Sequence, residues 1–253
     1  MSEWLLFFAV LLAIPYVLVP CLIKRNHFFS KSPYIRSLSF GFLPPLVEQD
    51  FQKSDRQLQE LGFEHRLDAV SLDYGPHLKV FMRLYVALEK SMVAIVTALV
   101  PEDSDGAIKS FVELSSRLSG GVEVLTSNSD LMGAPIEHKS KKISVLPAVE
   151  NIKILCAFHE SILKKLGFDQ KAAQVPQPGY ELAFLVQDFE DDIAAQNSLG
   201  CLEYDPDTDS FRPTWAGAIL MGWYSMWPIS IMRSLVQRIR AYFMIRNIKQ
   251  LEA

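Results

Sequence analysis

The stretch "QDFEDD" holds four carboxylates, Asp188, Glu190, Asp191 and Asp192, of which Asp188, Asp191 and Asp192 are spaced to share one face of a helix. Such a face can hold a magnesium ion against a diphosphate, the chemistry of an enzyme acting on a lipid or isoprenoid substrate. A second acidic motif normally completes that site, and none is present. A solvated charged face is expected, with these three residues as the metal candidates. "DPDTD", Asp205 to Asp209, has the alternating carboxylates that open a calcium loop. That loop needs Gly at its sixth position and Glu at its twelfth. Ser210 and Ala216 stand there, so a solvated turn is expected.

His159 falls on the apolar stripe of a helical segment. No His-x-x-x-His or Glu-x-x-His frame surrounds it, although Glu160 is adjacent. A general base needs a partner, so His159 is expected as a core or boundary histidine and is kept as a polar candidate. His27, His65, His77 and His138 are scattered. There is no Gly-x-Ser-x-Gly elbow, no Walker loop and no dinucleotide Gly-x-Gly-x-x-Gly. No catalytic residue and no cofactor is expected. Cys21, Cys156 and Cys201 are far apart and form no Cys-x-x-Cys, which points away from a zinc site or disulfide framework and toward a reducing compartment.

The remaining chemistry is that of membranes. Trp4 to Ile23 is 20 residues without a charge, the length that just spans a hydrocarbon core. Lys24, Arg25, Lys31 and Arg36 follow it and no basic residue precedes it, so the amino terminus is expected outside and the rest in the cytoplasm. Pro213 to Met232 is a second uncharged run of 20 residues. It carries Trp215, Trp223 and Trp227 at helical spacing, and tryptophan favours the headgroup zone. Arg233, Arg238, Arg240, Arg246 and Lys249 follow, with Leu235, Ile239 and Tyr242 as an apolar stripe among them. That composition suits a helix lying on anionic lipid. Trp4, Trp215, Trp223, Trp227, Arg233, Arg238 and Arg240 are the expected membrane contacts. One span with a surface-lying or domain-packed tail keeps every basic flank inside; a second span over 213–232 is the alternative.

Residues 24–45, with Pro33, Pro44 and Pro45, read as a linker. An amphipathic helix is expected over 46–61, where Val47, Phe51, Leu58 and Leu61 share a face and Gly62 stops it. "KVFMRLYVAL" and "MVAIVTALV" read as strands. "SFVELSSRLSGGVEVLTS" reads as a hairpin turning at Gly120-Gly121. A second helix is expected from Pro147 to Gly167, and a third over about 180–198. "CLEYDPDTDSFRPT" reads as two short strands around an acidic turn. The expected fold class is α+β: an N-terminal transmembrane helix, then an antiparallel sheet flanked by helices, then a winged-helix-like helix–hairpin–helix. The expected divisions are 1–23 anchor, 24–45 linker, 46–168 α+β domain, and 180–253 helix–hairpin–helix region with an apolar, basic amphipathic tail.

Of 253 residues 49% are hydrophobic, and the net charge of -4 supplies no field for nucleic acid. "GCLEYDPDTDSFRPTWAGA" resembles the end of a winged-helix module, but its acids would repel phosphates. Thr214-Trp215-x-Gly217-Ala218-x-Leu220-Met221-x-Trp223 with Trp227-Pro228 is similar to the tail of an uncharacterised bacterial membrane-associated family. That resemblance covers about 40 residues and implies no activity. The reading is a membrane-anchored, cytoplasm-facing binding or scaffold protein of the inner or plasma membrane. Its expected partners are the bilayer, anionic lipid and a protein. The alternatives are a membrane-associated metal-dependent enzyme on a lipid or isoprenoid substrate, and a two-span envelope-complex subunit.

Overall fold

The computed structural model describes residues 2–39, 42–72, 78–101, 108–118, 121–129, 139–147, 149–167 and 173–251, without the side chains of 2–13, 173, 240 and 244–251. Contacts divide the chain into two units: 1–31 with 132–136 and 190–236, and 32–131 with 137–189 and 237–253.

The larger unit is built on an eight-stranded sheet. Its strands are β2 (Ile35–Leu38), β3 (Glu64–Ser71), β4 (Leu78–Ala87), β5 (Met92–Pro101), β6 (Lys109–Leu118), β7 (Glu123–Ser127) and β8 (Lys141–Val145), in that spatial order, with β9 (Ala173–Gln174) beside β6. Every pair is antiparallel except β7 with β8, which run parallel. The sheet is therefore mixed and flanked by helices, which corrects the expected all-antiparallel sheet. A long connection between β7 and β8, unlike a tight hairpin, allows that parallel pairing.

Both sheet faces are covered, so β4 and β5 are buried almost throughout. Phe81, Tyr85 and Ala87 share one face with Ala94, Val96 and Ala98. They meet Val47, Phe51 and Leu58 of α2 (Pro45–Glu60) and Ile152, Leu155 and Cys156 of α3 (Ile152–Lys165). Val80, Met82, Leu84 and Val86 point the other way, onto Leu182, Leu185 and Phe189 of α4 (Glu181–Ser198).

Local chemistry sets the helix ends. Gly62 has φ +84, and the Phe63 amide donates to Leu58 O at 3.0 Å, closing α2 as expected. Helix α3 starts later than expected. Pro147 precedes it; Asn151 is the cap, accepting from Lys153 N at 2.9 Å, and the Gln57 amide oxygen accepts from Ile152 N at 3.0 Å. Gly121 turns the β6–β7 hairpin with φ +74, while Gly120 and Phe168 lie outside the described residues.

The smaller unit joins α1 (Ser2–Asn26), α5 (Trp215–Ser225) and a three-stranded sheet, β1 (Phe29–Ser30), β11 (Ser210–Pro213) and β10 (Leu202–Asp205). The order α4, β10, β11, α5 gives the expected helix–hairpin–helix sequence of elements. The 24–45 segment is no plain linker, because it holds the end of α1 and both β1 and β2. Residues 213–232 do not form one helix: α5 stops at Ser225, and α6 (Ile229–Leu251) starts after the cis Trp227–Pro228 bond. The alternative span over 213–232 is thereby corrected, because 11 residues reach only about 16 Å. Among the described residues no helix is long and apolar enough to cross a membrane, so the transmembrane helix expected at residues 1–23 gains no support there. Half of α1 has its side chains outside that set.

Candidate functional site

Helices α1 and α5 meet through a defect in α1. Residue 20 would normally donate its amide to the carbonyl of residue 16, but Pro20 has no N–H. The Trp223 indole fills the gap, donating to Tyr16 O at 3.0 Å. One residue earlier, Gly222 lies against the Pro20 ring; a Cβ there would be 3.2 Å from Pro20 Cγ. Tyr16 and Trp223 also meet edge to face at 6.5 Å.

At the other end of α5, Thr214 Oγ1 accepts from Gly217 N at 3.1 Å and donates to Gly200 O at 2.7 Å. Gly217 is obligatory, since a Cβ would fall 2.0 Å from Cys201 O. The small residues Gly217, Ala218 and Gly222 are buried. Several large apolar ones are turned outward, Ile14, Val17, Leu18 and Leu22 on α1 and Trp215 and Trp223 on α5, while Val19, Ile23, Ile219, Leu220 and Met221 are half-buried. Of the expected membrane contacts, Trp215, Trp223 and Trp227 are exposed, Trp227 at 66%. Trp4 lies on α1 with its side chain outside the described set, as does that of Arg240. Arg233 stacks on the Tyr224 ring at 5.2 Å, and Arg238 is exposed.

The basic flank is less free than its sequence suggests. Lys24 pairs with Glu203, Lys31 with Asp209 at 3.6 Å, and Arg212 with Asp205 at 2.8 Å. The acids of the β10–β11 hairpin thus offset Lys24 and Lys31 of that flank. Asp205 also closes its own turn, accepting from Asp207 N at 3.1 Å and from the Thr208 hydroxyl at 3.0 Å. Asp188 pairs with Arg117 at 2.7 Å. Asp191 and Asp192 share its helix, but among the described residues no group of three or more His, Cys, Asp or Glu is placed to hold a metal.

Two polar centres lie within the larger unit. His159 is fully buried between two hydroxyls, Thr126 Oγ1 at 2.9 Å from Nδ1 and Ser116 Oγ at 3.1 Å from Nε2. Burial lowers its pKa to about 4, so it is neutral at physiological pH. Cys156, one turn earlier, is pushed up to about 11 by burial first and then by Glu160, so its thiol stays protonated and is a poor nucleophile.

The second centre was not legible as a site in the sequence. In a regular strand His65 and Asp68, three apart, face opposite ways. A register shift between His65 and Leu67 inserts Arg66 and brings both to the α2 side, opposite Tyr85 and Arg83. His65 Nε2 then lies 3.1 Å from Asp68 Oδ1. Arg83 donates to Asp68 from Nε at 2.7 Å, to Glu48 from Nη2 at 2.8 Å and to Asp55 from Nη1 at 2.9 Å. Tyr85 donates its hydroxyl to Asp55. Burial alone would raise the Asp68 carboxyl, but hydrogen bonds from His65 and Arg83 outweigh it and hold the pKa below the usual range. The guanidinium is taken up by three carboxylates, so this hub ties α2 to the sheet. Its signal in sequence is only the spacing of Glu48 and Asp55, seven apart on one helix face.

Compared with known proteins, the chain matches no family model, no curated protein and no solved structure.

Proposed function

We propose that the protein is a membrane-anchored binding or scaffold protein. The α1–α5 helix pair embeds in the bilayer, α1 serves as the anchor, and the sheet unit is carried in the cytoplasm as the part that meets a partner. One observation carries this reading. The pair turns its small residues inward and leaves Ile14, Val17, Leu18, Leu22, Trp215 and Trp223 uncovered. Helices that pack in water do the reverse; small residues inside and large apolar ones outside is how helices pack in lipid. Exposed Arg25 and Arg238 favour anionic headgroups. A binding role rather than catalysis is supported by the polar centres, where His159 is walled in, the Cys156 thiol is protonated and Arg83 is saturated.

Flotation of the full chain with anionic vesicles, followed by carbonate extraction, tests the reading. The protein should float and remain with the lipid after carbonate. Complete release by carbonate or by salt overturns it.

A further inference from the structure

We propose that α5 and the turn Met226–Pro228 form a re-entrant wedge, which enters one leaflet along the C-terminal half of α1 and ends among acyl chains near the bilayer midplane. This inference rests on the membrane reading above and adds the direction and depth of insertion.

Direction follows from the small sheet. Strand β1 leaves α1 and β11 leads into α5, and the two pair with Phe29 opposite Phe211. The end of α1 and the start of α5 therefore lie together. From there α5 runs back along α1, with Gly222 on Pro20 and then Trp223 reaching Tyr16. Charge is sorted the same way. Lys24, Arg25, Lys31, Glu203, Asp205, Asp207, Asp209 and Arg212 all belong to the sheet end, and residues 14–23 and 213–225 carry none; the first charge after the turn, Arg233 of α6, lies over Tyr224 at 5.2 Å and must snorkel toward the headgroups. Depth follows from length. The 11 residues of α5 rise about 16 Å, close to half of a hydrocarbon core about 30 Å thick.

The latch fits lipid as the occupant. In water, the carbonyl orphaned by Pro20 would simply be hydrated. In hydrocarbon each backbone polar group needs a protein partner, and the Trp223 indole is that partner at 3.0 Å. The apolar coat lies on both helices, and Trp227 at the turn is the most exposed of the described tryptophans.

The test is depth-dependent fluorescence quenching of the full chain in phosphatidylcholine–phosphatidylglycerol vesicles. The lipids carry bromine either near the headgroup or near the chain end. All variants keep Trp223, replace Trp4 with Phe, and retain either Trp215 or Trp227. Trp227 should be quenched at least twofold better by deep bromine than by shallow bromine, and Trp215 the reverse. Equal, shallow quenching of both means a tail lying on the surface and overturns the wedge alone. Shielding of both from either lipid means a protein occupant, such as a second copy, and also overturns it. Failure to float at all instead removes the membrane reading. A further substitution, Trp223→Phe, read with Trp227 present, should shift its quenching at least twofold toward shallow bromine. The shift should nearly vanish in a Pro20→Ala background, because that substitution restores the missing N–H. An equal shift in both backgrounds, or no shift in either, overturns the latch.

Discussion

Acidification should unfold the larger unit through His159. Its ring is buried against Thr126 and Ser116, and its pKa falls from the ordinary 6.5 to about 4. Between those two values the unfolded chain binds a proton that the folded chain refuses. Stability is therefore complete above the unfolded pKa and drains away as pH falls through the window. At about 1.4 kcal/mol per pH unit, a window from 6.5 to about 4 removes about 3 kcal/mol. Denaturant titration of the full chain in detergent micelles at pH 7.0, 6.0, 5.0 and 4.0 measures the loss. His27, whose pKa is also lowered by burial, contributes as well, so the informative quantity is the difference from His159→Gln. That variant keeps a polar side chain beside the hydroxyls but has no titrating ring. It should start less stable at pH 7 and lose about 3 kcal/mol less than the wild type on acidification. Parallel curves for the two proteins would refute the reasoning.

Two further predictions concern packing. Arg83→Met should cost about 3 kcal/mol in the same titration, the low end for breaking a buried ion pair because Glu48 and Asp55 reach solvent; a loss under about 1 kcal/mol would show that the hub is dispensable. Gly217→Ala, which in an ordinary helix gains about 1 kcal/mol, should instead lower the melting temperature, since its Cβ would lie 2.0 Å from Cys201 O; an unchanged or raised melting temperature contradicts that contact.

Local features are readable in the chain and long-range ones are not. The α2 stripe and its Gly62 stop, the β4 and β5 runs and the acidic turn after Tyr204 each depend on neighbours a few residues away. The start of α3 is misplaced by sequence because Pro147 suits a first helical turn, while Asn151, the residue that caps, looks ordinary there. The Arg83 hub needs the extra residue at Arg66, and nothing in "EHRLDAV" marks a bulge. The tryptophans of the α5 region stand out by residue type, but the pairing of Pro20 with Gly222 joins positions that no periodicity connects. Nor does the sequence show that Lys24, Lys31 and Arg212 are matched by acids of the hairpin.

The gap left by Pro20 also has a history in time. Tyr16 and Trp223 are 207 residues apart. At about 5–20 residues per second, a ribosome takes roughly 10–40 s to make that interval. Throughout it α1 exists and its donor does not. Until Trp223 is made, the Tyr16 carbonyl must take its hydrogen bond from some other donor, such as water. Closure of the α1–α5 pair is then a late event, and a chain truncated before Trp223 carries an α1 whose gap at Tyr16 that indole has never filled.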